Sequence, residues 1–209
     1  APTSWDSLTR YLRRRGISEE QAVDGGLALP GRSGGCYDRF RGRVMFPIYS
    51  MTGRVVGFGG RILDGDGAKY LNSPESRVFN KRHNLYLLNK AKAAIASKEC
   101  AILVEGYMDA IRAHLCGYTN TVASLGTALT SVQASLIKRM TGLCYVCYDS
   151  DSAGEEAALR AMYILQAEGV TAKRVVWRGG KDPDELLLLP DGRELFEKSI
   201  ESALPLPLY

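Results

Sequence analysis

Histidine is nearly absent from this sequence, and cysteine is sparse and scattered. Two histidines (His83 and His114) and five cysteines (36, 100, 116, 144 and 147) stand among 209 residues. An odd, dispersed cysteine set fits a reduced cytoplasmic protein and not a disulfide scaffold. Two histidines cannot build a zinc cluster with cysteines so far apart, so no zinc is expected in this chain. Cys144-x-x-Cys147 has redox or zinc spacing, but it falls in a predicted strand, where i and i+3 face opposite ways. Both thiols are expected in the core. Long apolar runs are missing as well: Ala101–Val104 is cut short by Glu105, far below the ~18 to 20 residues that span a bilayer. The opening residues 1–6 have no basic-then-apolar export pattern, and no repeat or low-complexity segment is present. A cytoplasmic chain with no membrane partner is expected.

What is there is ordinary in composition, 45% apolar and 24% charged, as in a folded globular protein. The net charge of +4 hides a polarity. Residues 1–98 carry 17 Lys and Arg against 8 Asp and Glu, whereas residues 99–209 carry 10 against 15. A basic half joined to an acidic half suits a polyanion surface beside a cation site, although segregation of solvated charges would look the same.

The rhythm changes at the same place. In the first half, Trp5, Leu8, Tyr11 and Leu12 recur at helical spacing behind a cap at Thr3 or Ser4. Ser18 with Glu19-Glu20-Gln21 opens a second helix. Val44–Tyr49 and Arg54–Phe58 then read as strands about a Met51-Thr52-Gly53 turn. From Cys100 on, short apolar strands alternate with helices: strands 100–104, 121–124, 143–148 and 174–177, helices 108–116, 131–140 and 153–168. Buried strands separated by helices predict an α/β fold with a parallel sheet and flanking helices, preceded by a smaller mixed α+β subdomain. The divisions expected are 1–98, 99–187, and 188–209 as the start of a C-terminal helical segment.

Three strand ends carry acids: Glu105 after Val104, Asp149-Ser150-Asp151 after Tyr148, and Asp182-Pro183-Asp184 beyond Trp177. Ligands of open α/β sheets bind at the carboxyl ends of strands. In extended chain, residues i and i+2 project together, so Asp149 with Asp151, and Asp182 with Asp184, can converge, with Glu105 completing the cluster. Crowded carboxylates take up protons unless a cation neutralises them. Hard oxygen donors favour Mg²⁺ or Mn²⁺ over zinc. Any one of these aspartates can instead serve a helix start, Asp151 ahead of the helix at Ala153 and Asp184-Glu185 in the first turn of another, where acids favour the helix dipole.

The blocks Glu105-Gly106-Tyr107-Met108-Asp109, Ala123–Ala128, Tyr148–Gly154 and Asp182–Leu186 resemble the TOPRIM motifs of bacterial replicative DNA primases of the DnaG type. Tyr37–Ile48, Gly57–Arg61 and Lys69–Glu75 resemble the RNA-polymerase core of that family, and the likeness runs in order from Trp5 to about Ala203. The resemblance implies synthesis of short RNA primers on a single-stranded DNA template from ribonucleoside triphosphates, with Mg²⁺ or Mn²⁺. It makes Glu105, Asp149 and Asp151 metal ligands, and Asp109, Asp182 and Asp184 further acids of that centre. It also implies a monomer at the replisome, meeting the replicative helicase through a domain outside this chain. Ser150 and Ser152 depart from the family's usual glycine and basic residue, which puts a phosphate contact at 152 in question.

In the basic half, Arg39, Arg41 and Arg43 alternate and would share one face of a strand, offering bidentate donors to phosphate. Arg61, Lys69 and Lys81 lie in or near turns, with Tyr70 and Asn72 adding a stacking face and a polar contact. A metal-dependent nuclease on the TOPRIM scaffold, or a non-catalytic nucleic-acid-binding module, are the alternatives.

Overall fold

A computed structural model describes residues 1–32 and 34–206. These fall into two units divided between Asn80 and Lys81. In the first unit, α1 (Ser7–Arg14) starts later than its apolar spacing suggests, because the cap comes from elsewhere in the chain. The Asp38 carboxylate accepts from the amides of Leu8 (2.6 Å) and Thr9 (2.8 Å). Those donors have no partner inside the helix, so a buried aspartate takes over the work expected of Thr3 or Ser4. The second helix, α2 (Glu19–Asp24), has the capping box foreseen at Ser18 and Gln21. Strands β1 (Ala28–Pro30) and β2 (Cys36–Asp38) pair antiparallel. Strands β3 (Arg43–Tyr49), β4 (Val55–Ile62) and β5 (Tyr70–Asn72) form a second antiparallel sheet in that order.

The second unit opens with a 3-10 turn (Lys81–His83) and α3 (Leu88–Lys98). Then come β6 (Ala101–Val104), α4 (Tyr107–Leu115), β7 (Thr121–Ala123), α5 (Ser131–Lys138) and β8 (Leu143–Val146). The rest is α6 (Ser152–Ala167), β9 (Thr171–Arg174), α7 (Pro183–Leu186), α8 (Gly192–Glu201) and β10 (Leu204–Pro205). The sheet runs β10-β9-β8-β6-β7, parallel except for β10 at its edge. This is the α/β architecture expected, a parallel-dominated sheet with flanking helices and small antiparallel sheets ahead of it.

Two boundaries differ from the sequence reading. The second unit begins before residue 99, because Leu88, Ala91 and Ile95 of α3 belong to the same core as Leu103, Val122 and Val146. Strand β9 ends at Arg174, where 174–177 was expected, since the register with β8 pairs Leu143 with Thr171 and Val146 with Arg174. Cys144 and Cys147 are both fully buried. Among the described residues no helix is long and apolar enough to cross a membrane.

Candidate metal centre

Parallel strands all point their carboxyl ends one way, so whatever follows β6, β8 and β9 collects along one edge of the sheet. Glu105 directly follows β6. Gly106 then sits in extended geometry at the N-cap of α4, and Asp109 in the first turn accepts its amide at 3.1 Å. After β8 the chain stays paired through the Cys147 amide to Leu103 O (2.8 Å), which carries Asp149 alongside Glu105. The Asp149 amide donates to Glu105 Oε1 at 3.2 Å. Asp151 is the N-cap of α6, its Oδ1 accepting from the Gly154 amide at 2.7 Å. The third loop is tied to the second by the Ser150 amide donating to Lys181 O (2.9 Å), and Trp177 Nε1 donates to Tyr148 O (2.9 Å). Asp182 caps α7 through the Glu185 amide (2.7 Å).

Asp151 therefore caps its helix as one reading expected, while the cap of α7 is Asp182 and not Asp184. A carboxylate that caps through one oxygen retains a second acceptor oxygen. The geometry departs from expectation at Asp184. Pro183 starts α7, so Asp184 lies inside a helical turn and does not converge with Asp182 as an extended i,i+2 pair would. Its Oδ1 takes Arg112 Nε at 2.9 Å, and its amide donates to Asp109 Oδ1 at 3.3 Å.

The electrostatics report crowding. Burial first, and then the charges of Asp182 and Asp149, push the Asp109 carboxyl up to about 7. Asp149 is pushed up to about 6 by burial and by Glu105, Asp182 and Asp151, with Lys181 opposing. Glu105 is raised by burial and Asp151, against the Asp149 amide. A site that strains to hold protons is one that a cation relieves. Its donors are carboxylate oxygens, the set that hard divalent ions prefer. Among the described residues no three His, Cys, Asp or Glu side chains converge closely enough to hold an ion as they stand. In chemistry, the residues fit a divalent cation.

A stability measurement follows. Carboxyls with raised folded pKa values are protonated in the folded chain at a pH where the unfolded chain has lost the proton. Their contribution is therefore full at low pH and is lost as pH rises through about 6 to 7. The metal-free protein should melt at a higher temperature at pH 5.5 than at pH 8, and Asp149→Asn should flatten that slope. A melting temperature indifferent to pH across this window would contradict the raised pKa values of Asp109 and Asp149.

The expected strand face at Arg39, Arg41 and Arg43 does not form. Strand β3 begins only at Arg43, and Gly42 at φ +58 turns the chain between them. Arg39 donates through Nε (3.2 Å) and Nη2 (2.9 Å) to Asn72 O. Arg43 is buried and donates to Gly60 O (3.1 Å) and Ala68 O (2.9 Å). Arg41 donates to Asp38 O and lies over the rings of Trp5 (4.3 Å) and Tyr37 (5.3 Å). Arg61 lies over the Tyr70 ring at 5.9 Å, beside Asn72 on β5, and Lys69 is exposed just ahead of that strand. Lys81 opens the 3-10 turn of the second unit. Sequence reasoning passed over Arg112. It lies one helical turn after Asp109, and this i,i+3 spacing from an acid was the available signal.

Family models place residues 1–92 with the N-terminal domain of the DNA primase catalytic core and residues 102–187 with Toprim-like domains. A DNA primase from Clostridium acetobutylicum is 44% identical over 210 residues, covering 100% of this chain and 35% of the relative. The chain thus spans about a third of the length of the curated relatives it matches. The Aquifex aeolicus primase (zinc binding and RNA polymerase domains) superposes with a TM-score of 0.90 at 40% identity, over 99% of this chain and 51% of that one. A DnaG primase catalytic domain bound to single-stranded DNA has a TM-score of 0.86 at 40% identity, over 99% of this chain and 67% of that one.

Proposed function

Since the chain belongs to the DnaG-type family of bacterial DNA primases, we propose that it carries the centre for RNA primer synthesis on single-stranded DNA. The observation that carries this reading is the placement of Glu105 and Asp149 beyond the ends of adjacent parallel strands, joined by the Asp149 amide to Glu105 Oε1, with Asp151 two residues on at the cap of α6. In the reaction, the 3′-hydroxyl oxygen of one nucleotide bonds to the α-phosphorus of an incoming ribonucleoside triphosphate. The bond from that phosphorus to the bridging oxygen breaks, pyrophosphate leaves, and the hydroxyl proton passes to solvent or a carboxylate. Family membership implies divalent metal use, and Mg²⁺ or Mn²⁺ would supply charge stabilisation at the phosphoryl oxygens when bound.

Glu105, Asp149 and Asp151 hold the ion in this reading, and Asp109 and Asp182 complete the negative field. Asp109 also fixes the turn after β6 through the Gly106 amide. Within the first unit, Arg39, Arg41, Arg61 and Lys69, with Tyr70 and Asn72, are the residues we assign to the polyanion; Arg43, buried on Gly60 O and Ala68 O, is left out, and Lys81 lies in the second unit. Arg41 stacked on Trp5, and Arg61 on Tyr70, suit sequence-tolerant contact by charge and ring stacking. Ribonucleoside triphosphates, the primer and a replicative helicase are the partners implied, in the cytoplasm.

The test is direct. Incubation with single-stranded DNA, ribonucleoside triphosphates and Mn²⁺ should yield short RNA. Cleavage of labelled DNA without nucleotides would favour a nuclease, and salt-sensitive binding with no product would favour a binding module.

A further inference from the structure

Two backbone amides and one guanidinium lock part of the acidic cluster in place. Asp109 spends both carboxylate oxygens on amides from different loops, Gly106 at 3.1 Å and Asp184 at 3.3 Å. Its neighbour one turn along α4, Arg112, meets Asp184 at 2.9 Å, with both side chains about a quarter exposed. A helix of four residues cannot sustain itself, so α7 stays where its contacts put it. Those contacts decide where Asp182 stands, because Asp182 is the cap of that same helix. Asp184 differs from Glu105, Asp149, Asp151 and Asp182, since among the six acids it alone forms an ion pair with an arginine among the described residues.

We propose that Arg112 is a positioning residue of the metal centre. Through Asp184 it holds the start of α7 against α4, so Asp184 serves as a strut and not as a ligand. Without the guanidinium, the Asp184 charge joins a cluster that already holds five carboxylates, and repulsion drives α7, with Asp182, away from the sheet edge. Outer partners of this kind typically tune metal affinity by roughly 10- to 100-fold. The proposal rests on the metal reading given above.

The experiment is Mn²⁺ titration of the full chain, followed by the electron paramagnetic resonance of free Mn²⁺ well below the melting temperature. Arg112→Met should weaken binding by about tenfold or more, and Arg112→Lys should recover most of it. Asp184→Asn keeps an oxygen for Arg112 Nε and should cost much less than Asp149→Asn. In the metal-free protein, amides of residues 184–187 should exchange faster in Arg112→Met, which a ligand role for Asp184 does not require. Unchanged Mn²⁺ affinity in folded Arg112→Met, or Asp184→Asn as damaging as Asp149→Asn, overturns the proposal. Arg112→Gln gives the same comparison if Arg112→Met does not fold. A wild-type chain that binds no Mn²⁺ would end the metal reading itself, a failure distinct from equal binding by wild type and variant.

Discussion

Glu105→Gln should leave no measurable primer synthesis while melting at or above the wild-type temperature. The stability half follows from geometry. Glu105 Oε1 accepts the Asp149 amide, and a glutamine oxygen can accept the same bond. What disappears is a charge that burial disfavours and that repels Asp149 and Asp151. The activity half follows from charge. With one of three proposed ligands neutral, the ion is held weakly and the phosphoryl oxygens lose stabilisation of several kcal/mol, on the order of a thousandfold in rate. Asp151→Asn should behave alike, because asparagine caps helices as well as aspartate does. The measurement is dinucleotide synthesis with Mn²⁺ on a single-stranded template, beside a thermal melt. Wild-type rates in either variant would remove the carboxylates from the chemistry.

Gly154→Ala should unfold the protein about 4 to 8 °C lower and weaken Mn²⁺ binding, since overpacking here costs about 2 kcal/mol. Helix propensity alone argues the reverse, since alanine in place of glycine favours a helix by about 1 kcal/mol. Packing decides the sign. A Cβ at residue 154 would lie 2.3 Å from Asp149 O and 2.9 Å from its carbonyl carbon. Neither atom is the movable end of a side chain, so the loop bearing Asp149 and Asp151 has to shift. Glycine at 154 is therefore a requirement of the acidic loop, imposed from the first turn of α6. A melting temperature equal to or above that of the wild type would show that the loop yields without cost.

Much of this site was legible in the order of residues. Apolar runs ending in Glu105 and in Asp149 declare strands that deliver acids to one edge, because parallel strands share a direction. Ser18 with Gln21 declared its helix in the same local way. The readings that failed assumed extended chain where it bends. Arg39 to Arg43 were placed on a strand that Gly42 interrupts, and Asp184 was paired with Asp182 across a proline that starts a helix. Asp38 capping α1 from 29 residues away had no local signal at all.

Hydrophobic rhythm alone was enough to determine the sheet class and to place Glu105 and Asp149 just beyond apolar strands, since these depend on neighbours a few residues apart. Which acid stays open and which is clamped, and why residue 154 must be glycine, only the tertiary structure decided. Those outcomes depend on contacts at a few ångströms between segments far apart in the chain, where one carbon atom or one guanidinium settles the balance.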